Sequence, residues 1–216
     1  MIDLHTHTIL SDGELIPSEL ARRAEEKGYK IIGITDHVDF SNVKSVTAAI
    51  CEACKHINAS MEIRAVPGVE ITHVSPAEIP SLAEISREMG ARLVVVHGET
   101  IVEPVKEGTN RKALESDIDI LAHPGILSED DAKLAAERKI HVELSGRKGH
   151  SFSNGHVARL WYKYGFPIIL DSDTHSPCDL LDDGFAEKLI ISSGITVSDV
   201  KTVLGNSVSL AGRILL

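Results

Sequence analysis

Aromatic residues are scarce in this chain, with Phe, Trp and Tyr making up 4% of its 216 residues. Proteins that hold single-stranded nucleic acid stack bases on several exposed rings, so the shortage argues against that class. Positive charge is in deficit too: 22 Lys and Arg stand against 32 Asp and Glu, a formal net charge of −10. Most of such a surface repels a phosphate backbone, and no stable nucleic-acid complex is expected, although local basic residues can still take one phosphate. The longest apolar runs are far too short to cross a bilayer, which leaves no membrane partner. No Pro-, Gly- or Ser-rich stretch and no fixed-period repeat divides the sequence, so a single domain over 1–216 is expected. The first strand-like run starts at Ile2 and leaves no room for a secretory signal. A cytoplasmic location is therefore expected, and the oligomeric state stays open.

Cysteine is sparse as well, at 3 residues. Cys51 and Cys54 form a C-x-x-C, but inside an alanine-rich helical run where the two merely share a helix face. A zinc ribbon needs a second pair, and Cys178 is single. The thiols read as small packing side chains and suit a reducing compartment.

What the chain does have is a regular alternation of segment types. Apolar, β-branched runs at 2–4, 31–35, 63–66, 93–96, 118–122, 140–144 and 167–171 read as strands. Between them, 18–27, 43–57, 78–89, 129–138 and 154–164 carry helical periodicity. This pattern predicts an α/β fold, a parallel sheet with helices outside it. About seven such units suggest a distorted, TIM-barrel-like (β/α) barrel, closed or nearly closed. A doubly wound open sheet is the competing architecture, but it would gather its ligands at one switch point.

The candidate ligands sit just past nearly every strand. His5 and His7, two apart in an opening strand, point the same way and can grip one metal ion. Thr35-Asp36-His37, Val69-Glu70, Val96-His97-Gly98, Ala122-His123-Pro124 and Asp171-Ser172-Asp173-Thr174-His175 follow at other strand ends. A barrel brings such positions to one mouth. Neutral imidazoles suit zinc, iron or manganese, while carboxylates neutralise clustered charge and bridge ions. Mixed nitrogen and oxygen ligation leaves the identity of the metal open. A closed structural zinc site needs only four ligands, so this larger set at an open mouth points to catalysis.

These motifs, in order over almost the whole chain, resemble those of the PHP (polymerase and histidinol phosphatase) superfamily: Asp3-Leu4-His5-Thr6-His7, Ser11-Asp12-Gly13, Ile34-Thr35-Asp36-His37, Gly68-Val69-Glu70, His97, Ala122-His123-Pro124-Gly125 and Asp171-Ser172-Asp173-Thr174-His175. The stretch 146–156 further resembles stand-alone, histidinol-phosphatase-like members. The resemblance implies a seven-unit barrel with two or three divalent ions at its mouth and a phosphoesterase activity. Residue by residue, it implies that His5, His7, Glu70 and Asp173 hold a first ion. Glu70 would bridge to a second ion held by His97 and His123, and Asp12, His37 and His175 would hold a third. Glu70, Asp173 and His175 become the catalytic candidates.

Two neighbouring ions can share a water, lower its pKa and present hydroxide to phosphorus while neutralising the phosphoryl oxygens. Arg147 and Lys148 follow the strand at 140–144 and face the same mouth, where a guanidinium fork can clamp phosphate; His150 is a further substrate candidate. Asp3 and Asp171 share strand parity with the ligands and can orient them, and Glu143 lies close to the mouth. His150 and His156 flank a loop and a helix start, whereas His56, His73 and His141 have no partner pattern. A small phosphomonoester resembling histidinol phosphate is the expected substrate. A nucleotide or nucleic-acid 3′-end phosphodiesterase is the alternative, amide or lactone hydrolysis a further enzymatic one, and a non-catalytic RNA-binding or scaffold protein the reading from another class.

Overall fold

A computed structural model describes residues 1–215. Along them run β1 (Ile2–Asp3), α1 (Pro17–Glu26), β2 (Ile31–Ile34), β3 (His37–Val38), α2 (Val43–Ser60), β4 (Arg64–Ile71), α3 (Ile79–Glu88), β5 (Leu93–His97), α4 (Thr109–Glu115), β6 (Ile120–Ala122), α5 (Glu129–Arg138), β7 (His141–Ser145), α6 (Asn154–Tyr164), β8 (Ile168–Asp171), α7 (Asp183–Ser192) and α8 (Val200–Leu215). The strands pair in parallel in the order β1-β2-β4-β5-β6-β7-β8, and β3 continues the β2 side of β4 after a break at Thr35-Asp36. The result is a nearly closed seven-strand barrel wrapped by eight helices, the TIM-like architecture expected from the alternation. Among the described residues, no helix is long and apolar enough to cross a membrane.

Period-2 alternation divides each strand between two cores. In β5, Leu93 and Val95 point into the barrel while Val94 and Val96 point at the helices; in β7, Val142 and Leu144 face the helices, leaving Glu143 inside. The interior apolar cluster is small: Leu4, Val66, Leu93, Val95, Ile120, Ala122 and Ile169, plugged by Leu210, Ala211 and Ile214 of α8. Helix α8 therefore stoppers one end of the barrel, and the polar residues crowd the other. Neither α8, α7 nor α4 stands out by periodicity from sequence alone. β4 is the largest departure among the strands: it extends to Ile71, well past the expected run at 63–66, because Pro67 and Gly68 interrupt the β-branched pattern without breaking the strand.

Closure between the first strand and the last uses side chains where a ladder would use backbone. The Leu4 amide donates to Asp171 Oδ1 at 2.7 Å, and Asp3 Oδ1 accepts from the Ser172 amide at 3.2 Å. Only beyond these does a parallel bridge, Thr6 to Thr174, resume, with the His7 amide donating to the Thr174 carbonyl at 2.8 Å. Both carboxyls are buried. Burial pushes Asp3 up to about 6, and burial together with the Asp3 charge pushes Asp171 well above the carboxylate range.

A carboxyl whose pKa is raised on folding stabilises the fold fully below its unfolded pKa, about 3.9. That contribution is lost as pH climbs through the folded value. In the metal-free protein, stability should therefore decline from about pH 4 upward through this pair. Asp171→Asn, which keeps an oxygen for the Leu4 amide, should flatten the decline. Asp171→Ala should lose about 1–3 kcal/mol by leaving that amide unpaired, and urea titrations across pH check both outcomes.

Candidate metal centre

The loops after the strands are built to aim side chains inward. After β1 the chain doubles back so closely that a Cβ on Gly13 would lie 2.6 Å from the His7 carbonyl. Asp36 ties this loop down, accepting from the Thr8 amide and hydroxyl at 2.8 Å each and from the Ser11 hydroxyl at 2.7 Å. Asp12 is thereby held at the mouth, 3.4 Å from His37 Nε2 and 3.1 Å from His175 Nε2. His123 and Asp173 occupy left-handed backbone, φ 25° and 54°, a conformation costly for such residues and typical of functional sites.

Two buried carboxylates form the centre. Glu70 Oε1 is 3.4 Å from His5 Nε2 and 3.5 Å from His123 Nε2; its Oε2 is 3.6 Å from His7 Nε2 and 2.8 Å from His37 Nδ1. Asp173 Oδ1 lies 3.3 Å from both His7 Nε2 and His175 Nδ1, and its Oδ2 is 3.7 Å from His123 Nε2. The two oxygens of each carboxylate thus face different imidazoles. Glu70 stands between the groups assigned by resemblance to the first and second ions.

Several of the rings are anchored on one nitrogen and turn the other inward. His5 Nδ1 sits 2.6 Å from Glu143 Oε2, and His97 Nδ1 donates to the Gly98 carbonyl at 3.1 Å. An imidazole that donates through Nδ1 presents a lone pair at Nε2, which is a metal donor. Glu143, a weak candidate from sequence, is the partner that orients His5; burial pushes its carboxyl up to about 7 against the pull of His5.

The fit to cations is tested by what stays unsatisfied. His5 Nε2, both nitrogens of His7, Glu70 Oε1 and His123 Nδ1 are buried without a hydrogen bond. A group of buried polar atoms without partners is costly, and among these His5 Nε2 and His7 Nε2 face the Glu70 carboxylate. Three donor groups have their ligand atoms within 4.8 Å of one another at the core of the site: His5, His7 and Glu70; His5, His123 and Asp173; and His7, Asp12, His37 and His175. A mixed set of this kind fits divalent ions.

Other expected residues find different places. His150, read from sequence as a substrate contact, is buried inside the cluster, stacked 4.2 Å from His123 and grouped with His97 and His123 as a donor set. Its Nδ1 meets Thr100 Oγ1 at 2.7 Å. Arg147 lines the pocket, where its guanidinium donates to the Asp173 carbonyl at 3.3 Å and touches His175. Lys148 is exposed and does not line it, because the turn at 146–149 points it to solvent. Asp3 and Asp171 serve the seam. His56 pairs with Glu52 on the surface, His141 is buried near the opposite end beside Asp119, and His156 meets the Leu127 carbonyl. Cys51 and Cys54 lie on α2, partly and fully buried, and Cys178 is exposed; all are free thiols.

Glu103 was not legible. It lies 3.0 Å from His97, 3.1 Å from His73 and 3.4 Å from His150, and its contact with His97 lowers it to about 2. It stands mid-loop, where strand parity gives no signal, and it is also what gives His73 a partner.

Barrel, mouth and donor set define a metallohydrolase-type centre on a seven-strand β/α barrel. The chain belongs to the PHP domain family, whose model matches residues 3–208. An uncharacterized protein of Methanocaldococcus jannaschii is 44% identical over 204 residues, 94% of each chain. A probable phosphatase of Clostridium acetobutylicum is 27% identical over 202 residues, covering 81% of this chain and 79% of that one. Among solved structures, a chain in archaeal ribonuclease P with mature tRNA shares the fold at a TM-score of 0.74 and 15% identity, over 99% of this chain and 91% of that one.

Electrostatics gives the site a measurable signature. Burial pulls His37 and His5 down, but the carboxylates beside them prevail: Glu70 and Asp12 hold His37 at about 10, and Glu143 and Glu70 hold His5 well above its usual value. Burial keeps His7 and His123 neutral, at about 3 and about 4. Divalent ions displace the bound protons. Adding zinc or manganese to the metal-free protein at pH 7 should release about one proton or more per chain, seen with an indicator dye in weak buffer, and affinity should rise with pH. Binding without proton release would contradict this charge distribution.

Proposed function

We propose that the protein is a metal-dependent phosphoesterase acting on a small phosphomonoester, histidinol-phosphate-like in size. The observation that carries this reading is the convergence of unsatisfied imidazoles on Glu70 and Asp173. Family membership and a relative named as a probable phosphatase support it. In this reading His5, His7, Glu70 and Asp173 hold one ion, Glu70 with His97 and His123 a second, and Asp12, His37 and His175 a third. His150 joins the second group. Such ions supply Lewis acidity, lowering the pKa of water and neutralising charge on the phosphoryl oxygens.

The chain's own residues do the rest. Glu70 and Asp173, each with two oxygens turned to different imidazoles, hold the donors at fixed spacing. Glu143 keeps His5 in the orientation that turns Nε2 inward. Arg147 is the one guanidinium lining the pocket among the described residues; in the complex it binds phosphate oxygens, exchanging its present contact with the Asp173 carbonyl for a charge-assisted one. The pocket is about 330 Å³, at the small end of the range for sites that enclose a small molecule. This size and the shortage of cations favour a monoester over a nucleic-acid strand.

Metal-loaded protein should hydrolyse p-nitrophenyl phosphate faster than its bis-ester, lose activity to a chelator and regain it with added divalent ion. Faster bis-ester turnover would transfer the assignment to a phosphodiesterase. Glu70→Gln should lower kcat by orders of magnitude with the fold intact by circular dichroism. Arg147→Ala should leave metal content unchanged and lower kcat/KM by the ~1.5–3 kcal/mol of a charge-assisted bond, while Arg147→Lys recovers only part. An alanine variant with wild-type kcat/KM would leave phosphate binding to the metal centre alone.

A further inference from the structure

Glu103 stands in the loop between β5 and α4 and lines the pocket beside His97, His123 and His150. It is partly exposed, whereas the His97 and His150 rings next to it are almost closed to solvent. Its two oxygens divide between those rings: Oε2 lies 3.0 Å from His97 Nε2 and Oε1 3.4 Å from His150 Nε2. These are the uncommitted nitrogens of the pair, since His97 Nδ1 donates to the Gly98 carbonyl and His150 Nδ1 meets Thr100 Oγ1. With its hydrogen on Nδ1, His97 turns a lone pair at Nε2 toward a carboxylate oxygen. Two acceptors that close need positive charge between them.

The spacing suits one ion. Two ligands on bonds of about 2.1 Å stand about 3.0 Å apart at a right angle and about 3.4 Å apart at the tetrahedral angle, which matches the two contacts of Glu103. Glu70, fully buried, keeps a like distance of 3.5 Å to His123 Nε2. We propose that Glu103 is a protein ligand of the second ion, on its solvent side, and that His73 is the positioning residue that holds Glu103 there. His73 Nε2 donates to Glu103 Oε2 at 3.1 Å, and its ring lies 4.9 Å from that of His97. The His73 backbone is left-handed, φ 54°, a conformation that among the described non-glycine residues recurs at the donors His123 and Asp173 and at Lys139. Such a conformation is costly for a histidine, and nothing in the packing of a partly exposed ring calls for it. The inference rests on the metal-centre part of the proposed function and adds to it a donor that lies outside every motif of the sequence. With His150 and Glu103 the second ion gains five protein donors, two of them carboxylates.

The test is metal binding by the full chain, read apart from turnover. Metal-free protein is titrated with Co²⁺ and followed by calorimetry and by the visible absorption of the bound ion. Glu103→Gln keeps the size of the side chain and an oxygen for His73 but removes the charge, and on a partly exposed loop it leaves the core untouched, which circular dichroism checks. It should weaken one ion by more than the about 10–100-fold typical of a residue that only supports a ligand, and change the cobalt spectrum. His150→Ala should weaken the same ion and leave the others as they were. His73→Ala should cost about tenfold in the wild-type chain and nothing further in Glu103→Gln, while His73→Gln, which keeps a donor, recovers part. Wild-type affinities and spectrum in Glu103→Gln overturn the proposal. So does an ion lost in Glu103→Gln that His150→Ala leaves untouched, which would belong to a separate outer group of His73, His97 and Glu103. A chain without phosphatase activity that shows the selective loss keeps the ligand assignment and sinks the phosphoesterase reading; an active chain without that loss does the reverse.

Discussion

The site depends on how the barrel closes. Between the first strand and the last, Asp3 and Asp171 reach across and take the amides of Ser172 and Leu4. His5 and Asp173 each lie two residues beyond one of these carboxyls, so the same seam that joins the sheet sets the distance between the donors that come from the two ends of the chain. A one-residue slip there would turn the donors of the slipped strand away from the centre. Side-chain acceptors also resist slippage better than a backbone ladder, because only one register presents them to the right amides.

Above the seam the constraint is electrostatic. Glu70, Asp173 and Glu143 are fully buried among imidazoles, and burial alone would neutralise all three. Two of them instead stay far below the usual carboxylate range, Glu70 through His5 and His37, Asp173 through His5 and His7. The arrangement is a cation trap in which the protein's own protonated histidines stand where divalent charge belongs. Left-handed backbone at His123 and Asp173 adds conformational cost at the same point. Such costs are sustained because the outer core, from Tyr29 to Phe166, and the α8 plug are apolar and tightly enclosed.

Much of this is legible in the sequence. Strand-helix alternation gives the barrel, and histidines just past β-branched runs give the mouth, because both signals are local and periodic. The outer half of β4 was not, since Pro67 and Gly68 hide the strand that delivers Glu70. Helix α8 escaped because its pattern, VKTVLGNSVSLAGRIL, carries two internal glycines and polar serines; its role is set by what it plugs. Glu103 and the inward position of His150 escaped for a different reason. Glu103 sits on an irregular loop and His150 opens a short 3-10 turn; the direction of both comes from tertiary contacts with His97, His73 and Thr100, and no spacing in the sequence encodes those.

The seam also sets an order of events. Leu4 and Asp171 meet across 167 residues of chain, and a contact that distant must close a long loop before it returns any free energy. Until it forms, His5 and His7 lie on a strand with an open edge, and the centre lacks Asp173 and His175. A nascent or partly unfolded chain can thus offer a metal ion fragments of a site but never the whole one. Full affinity becomes a property of the closed barrel, so binding of the ions draws the two ends of the chain together.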